Sequence, residues 1–145
     1  MTLAIFDFNR TIYDPEKDEL IEGARVLLEH LAQSGVCMLL ISKRENGRTQ
    51  TLARLGIEGF FQDVIFTDEK TSQLFSDVIS KHNVTPESVY VVGDHLYSEI
   101  RAGNRAGART IHFKHGKFAA LVPQISDDHP WSTVSDLSEL CLLIP

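Results

Sequence analysis

Four short stretches of the chain carry residue types that handle phosphate. Asp7, Asn9 and Thr11 follow the first apolar run, Ser42 and Lys43 close the second, Lys70 follows the third, and Asp94 and Glu99 follow the fourth. A carboxylate can attack phosphorus and carry the phosphoryl group covalently. That attack brings anion to anion, so it needs a divalent cation, and hard carboxylate oxygens suit magnesium. An ammonium and a hydroxyl can hold the phosphoryl oxygens as charge develops. The set is coherent for phosphoryl transfer, yet each member also has an ordinary explanation. Asp7 can form a turn, Asp94 can cap a helix near Tyr97, and Glu99 suits the first turn of a helix through the dipole. Ser42 can cap, and Lys70 can be a solvated lysine, with Lys43 its rival beside Ser42. The combination of Asp7 and Thr11 with Gly93-Asp94 favours the chemical reading. Arg10, Arg44 and His95 fall near the mouth of such a site and could read substrate, but solvation is the better explanation of each. His112 and His115 have the spacing of a metal pair but lack Cys or acidic partners nearby.

These residues need elements that bring them together. Leu3 to Phe8 reads as a buried first strand, Val36 to Ile41 as the second, Val64 to Phe66 as the third, Val89 to Val92 as the fourth and Thr110 to Phe113 as the fifth. Helical spacing lies between them: Ala24, Leu27, Leu28 and Leu31 within 22–34, Leu52 and Leu55 before Gly56, Leu74 to Ile79, and 97–106. Strand alternating with helix predicts a parallel sheet with helices on both faces, and in such sheets ligands bind at the carboxyl ends of the strands. The candidate residues sit at those ends. Residues 116–145 read as an irregular tail closed by a helix that Ser135 caps, with Trp131 packing the tail down.

Asp7-Phe8-Asn9-Arg10-Thr11 resembles the first motif of the haloacid dehalogenase superfamily, aspartate-x-aspartate-x-threonine. Leu39 to Ser42 resembles its second motif, Lys70 its third, and Val91-Val92-Gly93-Asp94 with Glu99 its fourth. The resemblance runs from about Leu3 to Phe113. It implies a Rossmann-like three-layer α/β sandwich with about five parallel strands in the order 3-2-1-4-5, formed as one core domain over 1–145. By the same resemblance Asp7 is nucleophile and magnesium ligand, Asn9 offers its backbone carbonyl to the metal, and Asp94 binds it with Glu99 nearby, directly or through water. Ser42 and Lys70 hold the phosphoryl group, Thr11, Arg10 and Lys43 contribute to substrate binding, and 10–14 forms a flap. Two departures matter. Glu99 stands where aspartate is commoner but keeps the charge, and the family's general acid/base aspartate is Asn9 here, an amide that neither protonates a leaving group nor activates water. General acid/base groups contribute about 10²–10⁴-fold, so the expectation is a slow or substrate-selective phosphohydrolase.

About two dozen residues separate Thr11 from the second strand, too few for an inserted cap. An uncapped site suits large phosphorylated substrates, or closure by a second copy in a homo-oligomer, and argues against dehalogenation and phosphonate cleavage. The formal net charge of −6 excludes a broad grip on nucleic acid. No apolar run approaches the ~20 residues that span a bilayer, and no basic leader opens the chain, so the expected home is the cytoplasm. Cys37, inside an apolar run, is expected to be a buried inert thiol, and Cys37 with Cys141 makes no disulfide framework. Two other functions share these residues: a catalytically silent phosphate-binding or regulatory protein that keeps the metal site, favoured by Asn9, and a phospho-receiver switch. The switch is disfavoured because its accepting aspartate lies on a later strand than the acidic pair.

Overall fold

Leu3-Ala4-Ile5-Phe6 has no polar position, and a strand of that composition belongs where both faces are covered. In the computed structural model, which describes residues 1–145, it forms β1 (Leu3–Phe6), fully buried. A two-stranded hairpin follows, β2 (Tyr13–Asp14) and β3 (Glu19–Leu20), then α1 (Ala24–Gln33), β4 (Cys37–Lys43), α2 (Arg48–Leu55), β5 (Asp63–Thr67), α3 (Ser72–Lys81) and β6 (Val89–Gly93). After β6 a π-helical turn, Leu96–Ile100, runs into α4 (Arg101–Arg105), and β7 (Arg109–Phe113), β8 (Ser132–Val134) and α5 (Leu140–Leu143) complete the chain.

The main sheet has the order β5-β4-β1-β6-β7-β8, and all its pairs are parallel. Its first five strands follow the expected 3-2-1-4-5 order. Strand residues alternate between two cores. Ala4, Phe6, Met38, Leu40 and Val92 pack with Leu27, Leu28 and Leu31 of α1 and with Leu140. Leu3, Ile5, Leu39, Ile41 and Val91 pack on the other face with Phe75, Val78 and Ile79 of α3 and Ala102 of α4. Each fully buried Leu, Ile or Phe contributes about 1.5–3 kcal/mol, so the sheet is held from both sides. The chain leaves β1 toward β4 on one side and later returns to β6 on the other. The loops after β1 and β6 therefore diverge, and a crevice opens at the carboxyl ends of β1, β4 and β6.

Several local expectations need correction. The tail contains a sixth strand: β8 pairs Ile111↔Ser132 through Phe113↔Val134, hidden in the sequence because Val134 is its one buried apolar residue. The last helical segment is capped by Asp136, not Ser135. The Asp136 carboxylate accepts from the Ser138 amide at 2.8 Å, and Glu139 accepts reciprocally from the amides of Ser135 and Asp136, a capping box. The first helix begins at Ala24, because Gly23 adopts φ 84. Residues 10–14, expected to form a flap, run from the turn after β1 into the β2–β3 hairpin. Cys37 is only half-buried, and its thiol donates to Gln62 Oε1 at 2.6 Å. No helix is long and apolar enough to cross a membrane.

Candidate active site

The turn after β1 is wound around one carbonyl. Phe8 O accepts from the amides of Thr11, Ile12 and Tyr13 at 3.0–3.2 Å, and the Arg10 amide donates to Tyr13 O at 2.7 Å. Arg10 closes this turn with φ 61, a left-handed conformation that costs a side-chain-bearing residue about 1–2 kcal/mol. The turn aims Asp7 into the crevice and tucks Thr11 behind it. Thr11 is fully buried and donates to Asp7 Oδ2 at 3.2 Å, so it orients the carboxylate and does not line the cleft where substrate binding was expected of it. The other Asp7 oxygen is paired with Lys70 Nζ.

Lys70 reaches this point from just ahead of α3, whose N-cap is Thr71. Its ammonium is buried and also faces Glu99 Oε2 at 3.5 Å. Burial by itself would push it down, but the Asp7 and Glu99 carboxylates outweigh burial and raise it above the ordinary lysine range. Lys43 is exposed at the rim. The geometry thus separates the two lysines that the sequence left as rivals. Ser42 is buried at the end of β4 and lines the cleft, its hydroxyl donating to Lys43 O at 3.2 Å.

Asp94 and Glu99 come from the loop and π-helical turn after β6. Carboxylate oxygens of Asp7, Asp94 and Glu99 lie within 4.8 Å of one another. Asp94 does not cap the following turn. His95 Nδ1 does so, accepting from the Tyr97 amide at 3.1 Å. Asp94 Oδ2 is buried with no hydrogen-bond partner. Burial, then the Asp7 and Glu99 charges, push the Asp94 carboxyl up to about 9. Burial and Asp7 also raise Glu99. Glu99 additionally accepts from the His95 amide at 3.1 Å, and it folds over the end of β6 because Gly93 has no side chain. A Cβ there would lie 2.2 Å from the Glu99 carboxylate. Three carboxylates face one ammonium, so with all of them ionised two negative charges lack a partner. Buried charge on that scale calls for a cation, and a divalent, oxygen-seeking one fits the donor set.

The cleft has a volume of about 290 Å³ and is lined by Asp7, Asn9, Arg10, Ser42, Lys43, Lys70, Asp94, His95, Ser98, Glu99 and Phe118. Phe118 is its one apolar wall, delivered by the tail and packed 4.4 Å from the His95 ring. Arg44 points away, paired with exposed Asp68 at 3.1 Å. His112 does not line the cleft; its Nε2–H donates to the Asp94 carbonyl at 3.0 Å, bracing the acidic loop. His115 stacks on Phe113. The residue that sequence reading missed is Arg48. It is buried, its Nη1 donates to Asn9 Oδ1 at 3.1 Å, and its guanidinium lies 4.7 Å over the Phe8 ring. A signal was there to read, because a cation opening a helix opposes the dipole.

A haloacid dehalogenase-like hydrolase family model matches residues 4–113. The chain belongs to that family. Two curated relatives carry the name glyceraldehyde 3-phosphate phosphatase. The one from Methanopyrus kandleri is 35% identical over 86 residues, 56% of this chain and 37% of that protein. The one from Pyrococcus furiosus is 31% identical over 107 residues, 70% of this chain and 45% of that protein. The chain thus matches less than half the length of these family members. Two solved structures share the fold. A haloacid dehalogenase-like family hydrolase from Xanthomonas campestris superposes with TM-score 0.83 at 14% identity, over 99% of this chain and 94% of that one. The D,D-heptose 1,7-bisphosphate phosphatase from B. bronchiseptica, complexed with magnesium and phosphate, gives 0.81 at 13% identity, over 99% and 98%.

Proposed function

We propose that this family member is a magnesium-dependent phosphohydrolase that works through a phospho-aspartyl intermediate on Asp7, with residues 1–145 acting as one hydrolase core. The observation that carries this reading is the buried Asp94 oxygen without a partner, within 4.8 Å of Asp7 and Glu99 carboxylate oxygens. Magnesium would be held by Asp7, Asp94, the Asn9 backbone carbonyl and Glu99, directly or through water, and would supply positive charge to the phosphoryl oxygens. Thr11 and Lys70 hold the Asp7 carboxylate at the cleft floor, oriented for attack on phosphorus. Ser42 and Lys70 then bind the phosphoryl oxygens as charge develops. Lys43, exposed at the rim, attracts the substrate dianion, and Arg10, paired with Glu16 at 2.7 Å, lines the cleft where it can contact that substrate. The names of the curated relatives support a small phosphorylated substrate, and the uncapped cleft leaves room for a larger one.

The test is release of inorganic phosphate from p-nitrophenyl phosphate by purified protein. Turnover is expected with magnesium, is lost on chelation, and is lost in Asp7→Asn. Release that persists in Asp7→Asn, or no release above that variant across a broad phosphate panel, rejects the proposal. Asn9 favours a second reading, a silent phosphate-binding protein, which requires phosphate esters to bind with magnesium without steady-state turnover.

A further inference from the structure

Asn9 moves no proton where the family's aspartate would. Arg48 gives it a definite orientation. A guanidinium has only donors, so the Asn9 atom facing Arg48 Nη1 at 3.1 Å must be the oxygen. The Asn9 amide nitrogen is thereby turned the other way, and Asn9 lines the cleft next to Asp7. Arg48 gains from its place 4.7 Å over the Phe8 ring, but the rest of its surroundings stabilise it little. It opens α2, where the helix dipole opposes a cation. Its Nε is buried without a partner, and its one carboxylate, Glu45 at 2.5 Å, is itself 62% exposed.

We propose that Arg48 is a positioning residue that fixes Asn9 as a hydrogen-bond donor to the leaving oxygen, and that the site takes phosphoanhydrides such as acyl phosphates in preference to alkyl phosphate esters. The inference rests on the phosphohydrolase reading and names the substrate class for the same site. An Asp7 oxygen attacks phosphorus, and the bond from phosphorus to the leaving oxygen breaks with its electron pair going to that oxygen. An acyl phosphate releases a carboxylate, which needs no proton and is stabilised by the Asn9 N–H alone. An alkyl ester would release an alkoxide, which needs a proton that Asn9 cannot give. Water then attacks the same phosphorus, the bond to Asp7 breaks, and the proton from water leaves with inorganic phosphate.

The experiment measures kcat/KM with magnesium for acetyl phosphate, a series of substituted phenyl phosphates and glycerol 3-phosphate. Wild type is expected to favour acetyl phosphate over glycerol 3-phosphate by at least about 100-fold, the scale of a missing general acid, with rate falling steeply as the leaving group becomes more basic. Arg48→Met and Asn9→Ala should each lower the rate with phenyl phosphate roughly 5–10-fold more than with acetyl phosphate, the worth of one hydrogen bond. Arg48→Lys should recover part of the loss. In the Asn9→Ala background Arg48→Met should change the leaving-group dependence no further, which a purely structural Arg48 would not produce. If Arg48→Met does not fold, Asn9→Ala and Arg48→Lys carry the same comparison. Equal rates for acetyl phosphate and glycerol 3-phosphate overturn the inference, as does a leaving-group dependence that Asn9→Ala and the foldable Arg48 variants leave unchanged. In either case the parent reading stands as long as Asp7→Asn is inactive. No magnesium-dependent release from any of these compounds rejects both.

Discussion

Two buried aspartates in this molecule have opposite environments. Asp128, in the tail, is fully buried and over-supplied with donors. Arg101 grips it with Nε at 2.6 Å and Nη2 at 3.0 Å, and the amides of Gln124 and Ile125 donate to it at 2.9 and 3.2 Å. Arg101 and these amides hold its carboxyl down at about 2. Asp94, at 3% exposure, keeps an oxygen with no donor at all and sits beside two further carboxylates. Burial and those neighbours push its carboxyl up to about 9. One site is complete within the chain and serves the fold. The other is left unfinished by protein atoms alone, which is the feature the proposed magnesium site rests on.

That contrast can be broken most sharply at Asp94. Asp94→Asn is expected to lower kcat/KM by about 10³-fold or more, since the charge stabilisation it supports is worth several kcal/mol. In metal-free buffer the same variant should melt higher than wild type, gaining about 1–2 kcal/mol because an amide, unlike Asp94, need not take up a proton to be buried beside Asp7 and Glu99. Thermal melts and phosphate release on one preparation check both halves. A variant that loses stability without metal would show that Asp94 is a structural residue like Asp128.

Asp128→Ala should do the reverse. It leaves buried donors unsatisfied and should cost roughly 2 kcal/mol of stability, with kcat/KM changed less than two- to threefold, the size of an indirect effect. Denaturant melts and steady-state assays on the same preparation read the two quantities. Inactivity in a well-folded Asp128→Ala would erase the distinction between the two regions.

The smallest effect is in the pH dependence of stability. Asp94 has a folded pKa above its unfolded one, so its contribution is present at low pH and is lost as pH rises toward about 9, and the raised Glu99 acts in the same direction. Asp128 has a depressed value, so its contribution is present above about pH 4, the unfolded range, and is lost as pH falls toward about 2. Metal-free protein should therefore gain stability as pH drops from 9 toward 4–5 and lose it below 4. Asp94→Asn should flatten the alkaline limb, and Asp128→Asn the acidic one. Melts across that range in each variant measure it, and unchanged limbs would remove the electrostatic account.

The sequence made the five strands legible as apolar runs and pointed to Asp7, Ser42, Lys70, Asp94 and Glu99 at or just after their polar ends, while the order of the strands was legible only through the family resemblance. What stayed hidden depends on contacts that no local pattern encodes. β8 is too short and too exposed to read as a strand. The π-helical turn that carries Glu99 has the same residue types as an ordinary helix start. The Arg48–Asn9 bond joins residues 39 apart. Lys70 and Lys43 could be told apart only by which of them reaches Asp7.

The family match ends at Phe113, yet the sheet and its packing continue beyond it. Asp128 anchors Arg101, the first residue of α4, which continues directly from the turn that holds Glu99. A chain trimmed at the family boundary would keep every acidic residue of the cleft and lose the clamp that sets one of them. Truncation would thus separate having the right residues from having them in register.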